Sequence, residues 1–199
     1  MSTTRDSLLA AAATAFDQNG YVRATIDDVC DLAGVTKGAL YGHFSSKKAL
    51  AVAVLDRQAQ EWVRTREQLQ QTHRSPLQVM VDLGYAVHRD HLVAQRLLFQ
   101  SPICDDVADR QIAQWTWTNH ELLRAAAFRG ELLDGIDLGG CAEAMVAALV
   151  GAHLVSMAIG DADHVNARIA GMWRAWLPTL ARPEVCAALR LAAPRVRPR

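Results

Sequence analysis

Apolar positions recur along this chain three or four residues apart over nearly its whole length, and no stretch alternates with the period of two that marks a strand. The pattern predicts a first helix over about Thr4 to Asn19, then two short helices, Ile26 to Ala33 and Lys37 to His43. A long helix opens at Ser45 or Ser46 and runs to about Gln71, with Leu55, Ala59, Trp62, Arg66 and Leu69 along one side. Ser75-Pro76 starts the next, reaching about Asp90, and Leu92 to Gln100 forms a shorter one that Ser101-Pro102 breaks. Three long helices follow, Asp105 to Phe128, Leu138 to Ile159 and Ala162 to Leu180, and Pro183 opens a last short one. The fold class is therefore all-α, about nine to ten helices by pattern and punctuation.

The stretch from Thr25 to Leu50 constrains function most. Thr25 can cap the first short helix, and Asp28, three residues on, completes a capping-box start before the apolar positions Ile26, Val29, Cys30 and Ala33. Asp27, Asp28 and Asp31 then face water. Gly34 supplies the left-handed backbone a helix terminus needs, Val35 plugs the corner, and Thr36 is the N-cap of the second helix. Two helices joined by so short a turn form a helix-turn-helix, whose second helix can lie in the major groove of DNA. On it Ala39, Leu40 and Phe44 can point inward, leaving Lys37, Gly38, Tyr41 and Gly42 outside.

The string from Val35 to Lys47, VTKGALYGHFSSK, is similar to the recognition-helix signature of the TetR family of bacterial repressors. The preceding AAATAFDQNGY, Ala11 to Tyr21, also resembles that family's first helix, with Phe16 and Tyr21 packed under the helix pair. The sequence departs from the pattern at Gly42, where many relatives carry an aromatic or large polar residue. The resemblance implies a three-helix DNA-binding domain over residues 1–48 and a helical ligand-binding and dimerisation domain over 49–199. The partners it implies are double-stranded operator DNA, a small-molecule inducer and a second copy of the chain. By side-chain chemistry, Thr25, Thr36, Tyr41, His43 and Lys47 are expected to hold phosphates, while Lys37 with the Gly38 backbone reaches base edges. Ala39, within the signature, joins the expected contact set. Tyr41 also has a packing reading with only its tip wet. Lys47 and Lys48 stand where the helix dipole disfavours cations, which a phosphate would explain.

In the second half, Arg129-Gly130-Glu131, the run Gly151 to Ser156, Met172-Trp173-Arg174, Leu177-Pro178 and Arg182-Pro183 together resemble the γ-butyrolactone receptors. That TetR subgroup senses lactone or furan signals and releases promoters of antibiotic-biosynthesis genes. The resemblance implies that Trp115 lines a ligand pocket; its other reading is core packing. Trp117, two residues on, points in a different direction on a helix, so at most one of the two is expected to be a pocket wall. Tyr85, Phe99 and His153 are candidate walls orienting a lactone carbonyl, though each taken alone reads more readily as a satisfied core residue. Gln95 reads as surface. Two further readings stay open: a repressor answering another lipophilic compound or drug, and a regulator without a ligand.

Composition changes this picture little. The 199 residues are 51% hydrophobic, enough for a small and a larger helical core. Lys and Arg total 21 against 21 for Asp and Glu, so the bulk positive charge common in nucleic-acid binders is missing. A reader of two symmetric half-sites needs only a few local cations per subunit. The four cysteines have no paired spacing and no signal segment precedes the first helix, so a cytoplasmic setting is expected. Residues 138–160 are long and apolar enough to suggest a membrane span, but Glu143, His153 and the glycines favour a buried or subunit-facing helix, and no membrane partner is expected. His88 and His91 lack the further ligands a zinc site needs, and His120-Glu121 lacks a second histidine. No phosphate loop, nucleophile elbow or His-supported nucleophile occurs, so neither enzyme activity nor a metal or other cofactor is expected. The arginine-bearing tail, Arg190 to Arg199, reads as a solvated end whose charge can also touch DNA or an acidic surface.

Overall fold

The computed structural model describes residues 4–72, 75–86, 105–161 and 164–193. Among these the chain is all-α, as its periodicity predicts: α1 Thr4–Arg23, α2 Ile26–Ala33, α3 Lys37–Tyr41 and α4 Lys47–Thr72, α5 over residues 76–86, then α6 Asp105–Phe128, α7 Leu138–Ala158, α8 Val165–Leu180 and α9 Pro183–Ala188. The expected helix Leu92 to Gln100, with Phe99, Gln95, His88, His91 and Cys104, lies outside the described residues. The described residues fall into two compact units, one holding 4–62 and 105–111, the other 63–86 and 112–193 within the described set.

In the first unit α1 is helical to Asn19 and breaks at Gly20 (φ 70°), beyond which the chain turns into α2. Leu8, Leu9, Ala12, Ala15 and Phe16 of α1 are buried with Val29 and Cys30 of α2, Leu40 and Phe44, and Leu50, Ala51, Val54 and Leu55 of α4. The Phe16 and Tyr21 rings meet at 5.5 Å, with Phe16 buried and Tyr21 half-buried. On α4 the inward stripe is Ala51, Val54, Leu55, Gln58 and Trp62; the expected stripe through Ala59 and Leu69 is displaced, and both of those residues are only half-buried.

The second unit is built around Trp173 of α8, fully buried, with Leu77, Met80, Leu123, Met145 and Ile169 also inside. Gly84 lets the chain pass this indole closely: a Cβ there would stand 3.2 Å from Leu149 Cδ2 and 3.6 Å from the Trp173 ring. α7 buries Ala142, Met145, Val146, Leu149, His153 and Ser156 on one side. Its N-cap Asp137 accepts from the Gly139 and Gly140 amides, both at 3.1 Å. After α6 the chain makes a single bridge, Leu132 to Ala181, which joins that corner to the end of α8. The segment after α9 is tied to α5: Arg190 exchanges hydrogen bonds with the Gln78 amide through its backbone and pairs with buried Asp82 at 3.0 Å, and the Tyr85 hydroxyl donates to the Leu191 carbonyl. The beginning of the C-terminal tail is therefore packed, where a solvated end is expected; residues 194–199 lie outside the described set.

Candidate functional site

The helix pair of the first unit takes its shape from short-range chemistry. Thr25 Oγ1 accepts from the Asp28 amide at 3.1 Å and the Thr25 amide donates to Asp28 Oδ2 at 2.8 Å, a complete capping box. Gly34 adopts the left-handed conformation (φ 66°, ψ 36°), and the Val35 amide returns to the Cys30 carbonyl at 3.1 Å. The chain thus re-aims at once, and Thr36 Oγ1 caps α3 by accepting from the Ala39 amide at 3.2 Å. Because the Thr25 backbone N–H and then its hydroxyl bond the Asp28 carboxylate, that group sits below its ordinary value. A depressed carboxylate pKa adds stability above the unfolded value that is lost as pH falls through the folded one. The helix pair should accordingly loosen only in acid. Thr25→Ala should cost about 1 kcal/mol at neutral pH, read as a lower urea midpoint, and should leave the Asp28 carboxyl nearer its ordinary value in NMR titration.

Leu40 and Phe44 point inward, as expected, but Ala39 does not: it is exposed beside Lys37, Gly38, Tyr41, Gly42 and His43. The reason is the shortness of α3, five residues, whose interior is filled by Leu40 alone. Ala39 therefore belongs to the outer face. Gly42 closes α3 in a right-handed conformation (φ −66°, ψ −22°), and a Cβ there would meet two backbone oxygens at 3.4 and 3.5 Å. Any residue fits that φ, and the small outer surface at this point is a property of the side chain alone.

The cations are arranged differently from their sequence reading. Lys37 Nζ pairs with Asp27 Oδ1 at 2.7 Å, both side chains 60% exposed, and this contact raises the Lys37 pKa above its ordinary value. Lys47 is half-buried, donates to the Val22 carbonyl at 3.2 Å and lies 4.5 Å from the Tyr21 ring centroid, so loss of hydration lowers its pKa. The unfavourable place of Lys47 at a helix start thus has a structural cause. Lys48 beside it is exposed, so of the two lysines that the dipole argument singles out it is the one turned to solvent. Thr25, Thr36, Tyr41 (53% exposed) and His43 all stand at the surface of the first unit.

The candidate ligand residues are dispersed within the second unit. Trp115, Tyr85 and His153 are buried. The Trp115 indole N–H has no partner among the described residues, whereas His153 Nδ1 lies 2.6 Å from the Leu149 carbonyl of its own helix. Burial raises the Tyr85 pKa, and its hydroxyl is committed to the Leu191 carbonyl. Trp117 is 58% exposed and lines an outer groove, so of the two indoles only Trp115 faces the interior. No group of three or more potential metal ligands occurs among the described residues.

Comparison with known proteins agrees with this geometry. Residues 8–54 match the family described as bacterial regulatory proteins, tetR family. The A-factor receptor protein of Streptomyces griseus is 35% identical over 190 residues, which make up 92% of this chain and 66% of that protein. Full-length tylp, a TetR regulator from Streptomyces fradiae, superposes with a TM-score of 0.77 at 31% identity, covering 96% of this chain and 92% of that one. A γ-butyrolactone receptor described as ArpA-like gives 0.73 at 25% identity, covering 93% and 92%.

Proposed function

We propose that this chain, which belongs to the TetR family of bacterial regulatory proteins, is a homodimeric repressor of transcription released from a pseudo-palindromic operator by a small γ-butyrolactone, butenolide or furan signal. Its targets on this reading are secondary-metabolite genes, antibiotic genes among them. The observation that carries the reading is the capped helix pair with an outer face of Lys37, Gly38, Ala39, Tyr41 and His43, on a chain similar along nearly all its length to a γ-butyrolactone receptor.

Lys37 is the base-reading residue, reaching a guanine edge beside the Gly38 backbone, and Thr25, Thr36, Tyr41, His43 and Lys47 contact phosphates. Lys48 joins them. To reach a base Lys37 must leave Asp27, and the high exposure of that ion pair makes the exchange cheap. One short α3 reads too few base pairs for specificity, so two must sit about 34–36 Å apart on a two-fold axis. The surface for that pairing is α7, a helix apolar enough to cross a membrane by length and composition only. Its unburied side presents Ala144, Ala147, Val155 and Ala158, with Ile159 just beyond its end, an apolar stripe on which a second copy packs. Gly140 has a local reason to be glycine: a Cβ there would lie 2.5 Å from the Asp137 carboxylate that caps α7.

The inducer occupies the second unit against Trp115, whose unpartnered indole N–H can donate to a lactone or furan oxygen. Binding favours a conformer in which the two reading heads no longer match the groove spacing, a population shift, and α4 has residues in both units to carry it. A lipophilic inducer of other chemistry is the second reading. The commitment of the Tyr85 hydroxyl to Leu191 favours it, because one of the expected polar handles is already used.

The test is fluorescence anisotropy with a duplex selected by the protein from random DNA. Lys37→Ala should weaken binding by about tenfold or more, the worth of a good base contact; a change within about twofold removes the base-reading role. A γ-butyrolactone should dissociate the complex, and the selected duplex should weaken lactone binding by the same factor. Equal lactone affinity with and without DNA contradicts the mechanism.

A further inference from the structure

We propose that the outer face of α6 carries a second small-molecule site, separate from the Trp115 interior, that holds an apolar monocarboxylate. The site is a groove of about 690 Å³ within the second unit, lined among others by Arg66 and Gln70 of α4, Val79 of α5, and Trp117, Thr118 and Phe128 of α6. That volume is in the range of pockets for drug-sized ligands.

Charge selects the head group. Three arginines line the groove, but two are already neutralised: Arg124 pairs with Glu121 at 2.7 Å and Arg129 with Glu131 at 3.5 Å. Arg66 has no acidic partner among the described residues, and its Nε is buried without an acceptor. A guanidinium in that state is matched by a carboxylate, whose two oxygens accept its parallel donors. A dianionic phosphate would set surplus negative charge near Glu121. Thr118 supplies a second, independent observation: it is 1% exposed, lines the same groove, and its hydroxyl has no partner among the described residues.

The apolar body is selected by the rims. Trp117 is 58% exposed and Phe128 94%, large aromatic surfaces that a hydrocarbon or aryl group would remove from water. Trp115 is buried and Trp117, two residues on along α6, lines this groove, so the outer site stands whichever inducer the interior takes.

The experiment uses the full-length protein and decanoate as the probe, with methyl decanoate as the uncharged control, by titration calorimetry. Decanoate should bind saturably. Arg66→Gln should weaken it by about tenfold or more, the scale of a charge-assisted pair, and Thr118→Val by a smaller factor, while Trp115→Phe leaves it unchanged. Absence of decanoate binding overturns the proposal. It is also overturned by methyl decanoate binding as tightly as decanoate, by an Arg66→Gln affinity equal to wild type, or by loss of decanoate binding in Trp115→Phe, which would place the probe in the interior. None of these outcomes depends on DNA, so failure of the repressor reading is separately visible in the anisotropy titrations.

Discussion

Val155→Asp should convert the protein from a dimer to a monomer and lower operator affinity by about a hundredfold or more, the scale of avidity lost when two linked half-sites are separated. Val155 is 51% exposed on the unburied side of α7, in line with Ala144, Ala147 and Ala158. A two-fold axis brings a substituted residue in twice, so the interface would have to bury two unpaired carboxylates. Each costs several kcal/mol to dehydrate with no cation to offset it. Because the position lies outside the core of its own subunit, helix content by circular dichroism should be unchanged. Sedimentation at micromolar concentration reads the mass, and anisotropy reads the DNA. Val155→Ala serves as the control, expected to stay dimeric. A Val155→Asp protein that still sediments as a dimer would remove α7 from the interface.

Trp173→Ala should be the most destabilising single change in the second unit, at about 3–5 kcal/mol. The side chain is fully buried, and its neighbours can collapse only partly, since α5 is held on its other flank by the Gln78, Asp82 and Tyr85 contacts to residues 190 and 191. Urea unfolding followed by circular dichroism should show the loss in the transition of this unit. Gly84→Ala approaches the same indole from the other side. Its new methyl would meet Leu149 Cδ2 at 3.2 Å and the Trp173 ring at 3.6 Å, and the cost should stay under about 1.5 kcal/mol because a side-chain shift of a few tenths of an ångström absorbs it. If Trp173→Ala costs no more than Gly84→Ala, Trp173 is not the centre of this core.

How much of this was legible depended on how far each interaction reaches along the chain. The capping box at Thr25 and Asp28, the left-handed Gly34 and the Thr36 cap each join residues within a few positions, and the structure has them where the sequence reading expected them. Helix starts at Asp105, Leu138 and Pro183 were equally plain, because caps and proline act locally. Ala39 was misjudged for the converse reason: in a helix as short as α3, one buried leucine leaves no periodicity from which to infer a second. The pairing of Lys37 with Asp27 and the tie of Lys47 to the Val22 carbonyl and Tyr21 ring join separate helices, and no spacing rule announces them.

The regulatory half shows the same division. That α7 is a continuous apolar helix, and that Trp115 and Trp117 face different ways, is legible in the sequence, since one follows from composition and the other from a fixed turn per residue. It did not determine which side of α7 would be buried, because a helix apolar all round carries no stripe to read. Tertiary packing decided that: Ala142, Met145, Val146, Leu149, His153 and Ser156 go inside and Val155 and Ile159 stay out. It likewise turned Trp115 inward and Trp117 outward, and among the described residues left Arg66 without a carboxylate partner beside an open groove. Local hydrogen bonding and helix geometry are properties of neighbouring residues and survive in the sequence as pattern. Burial and charge pairing depend on which distant residues arrive, and only the folded chain specifies them.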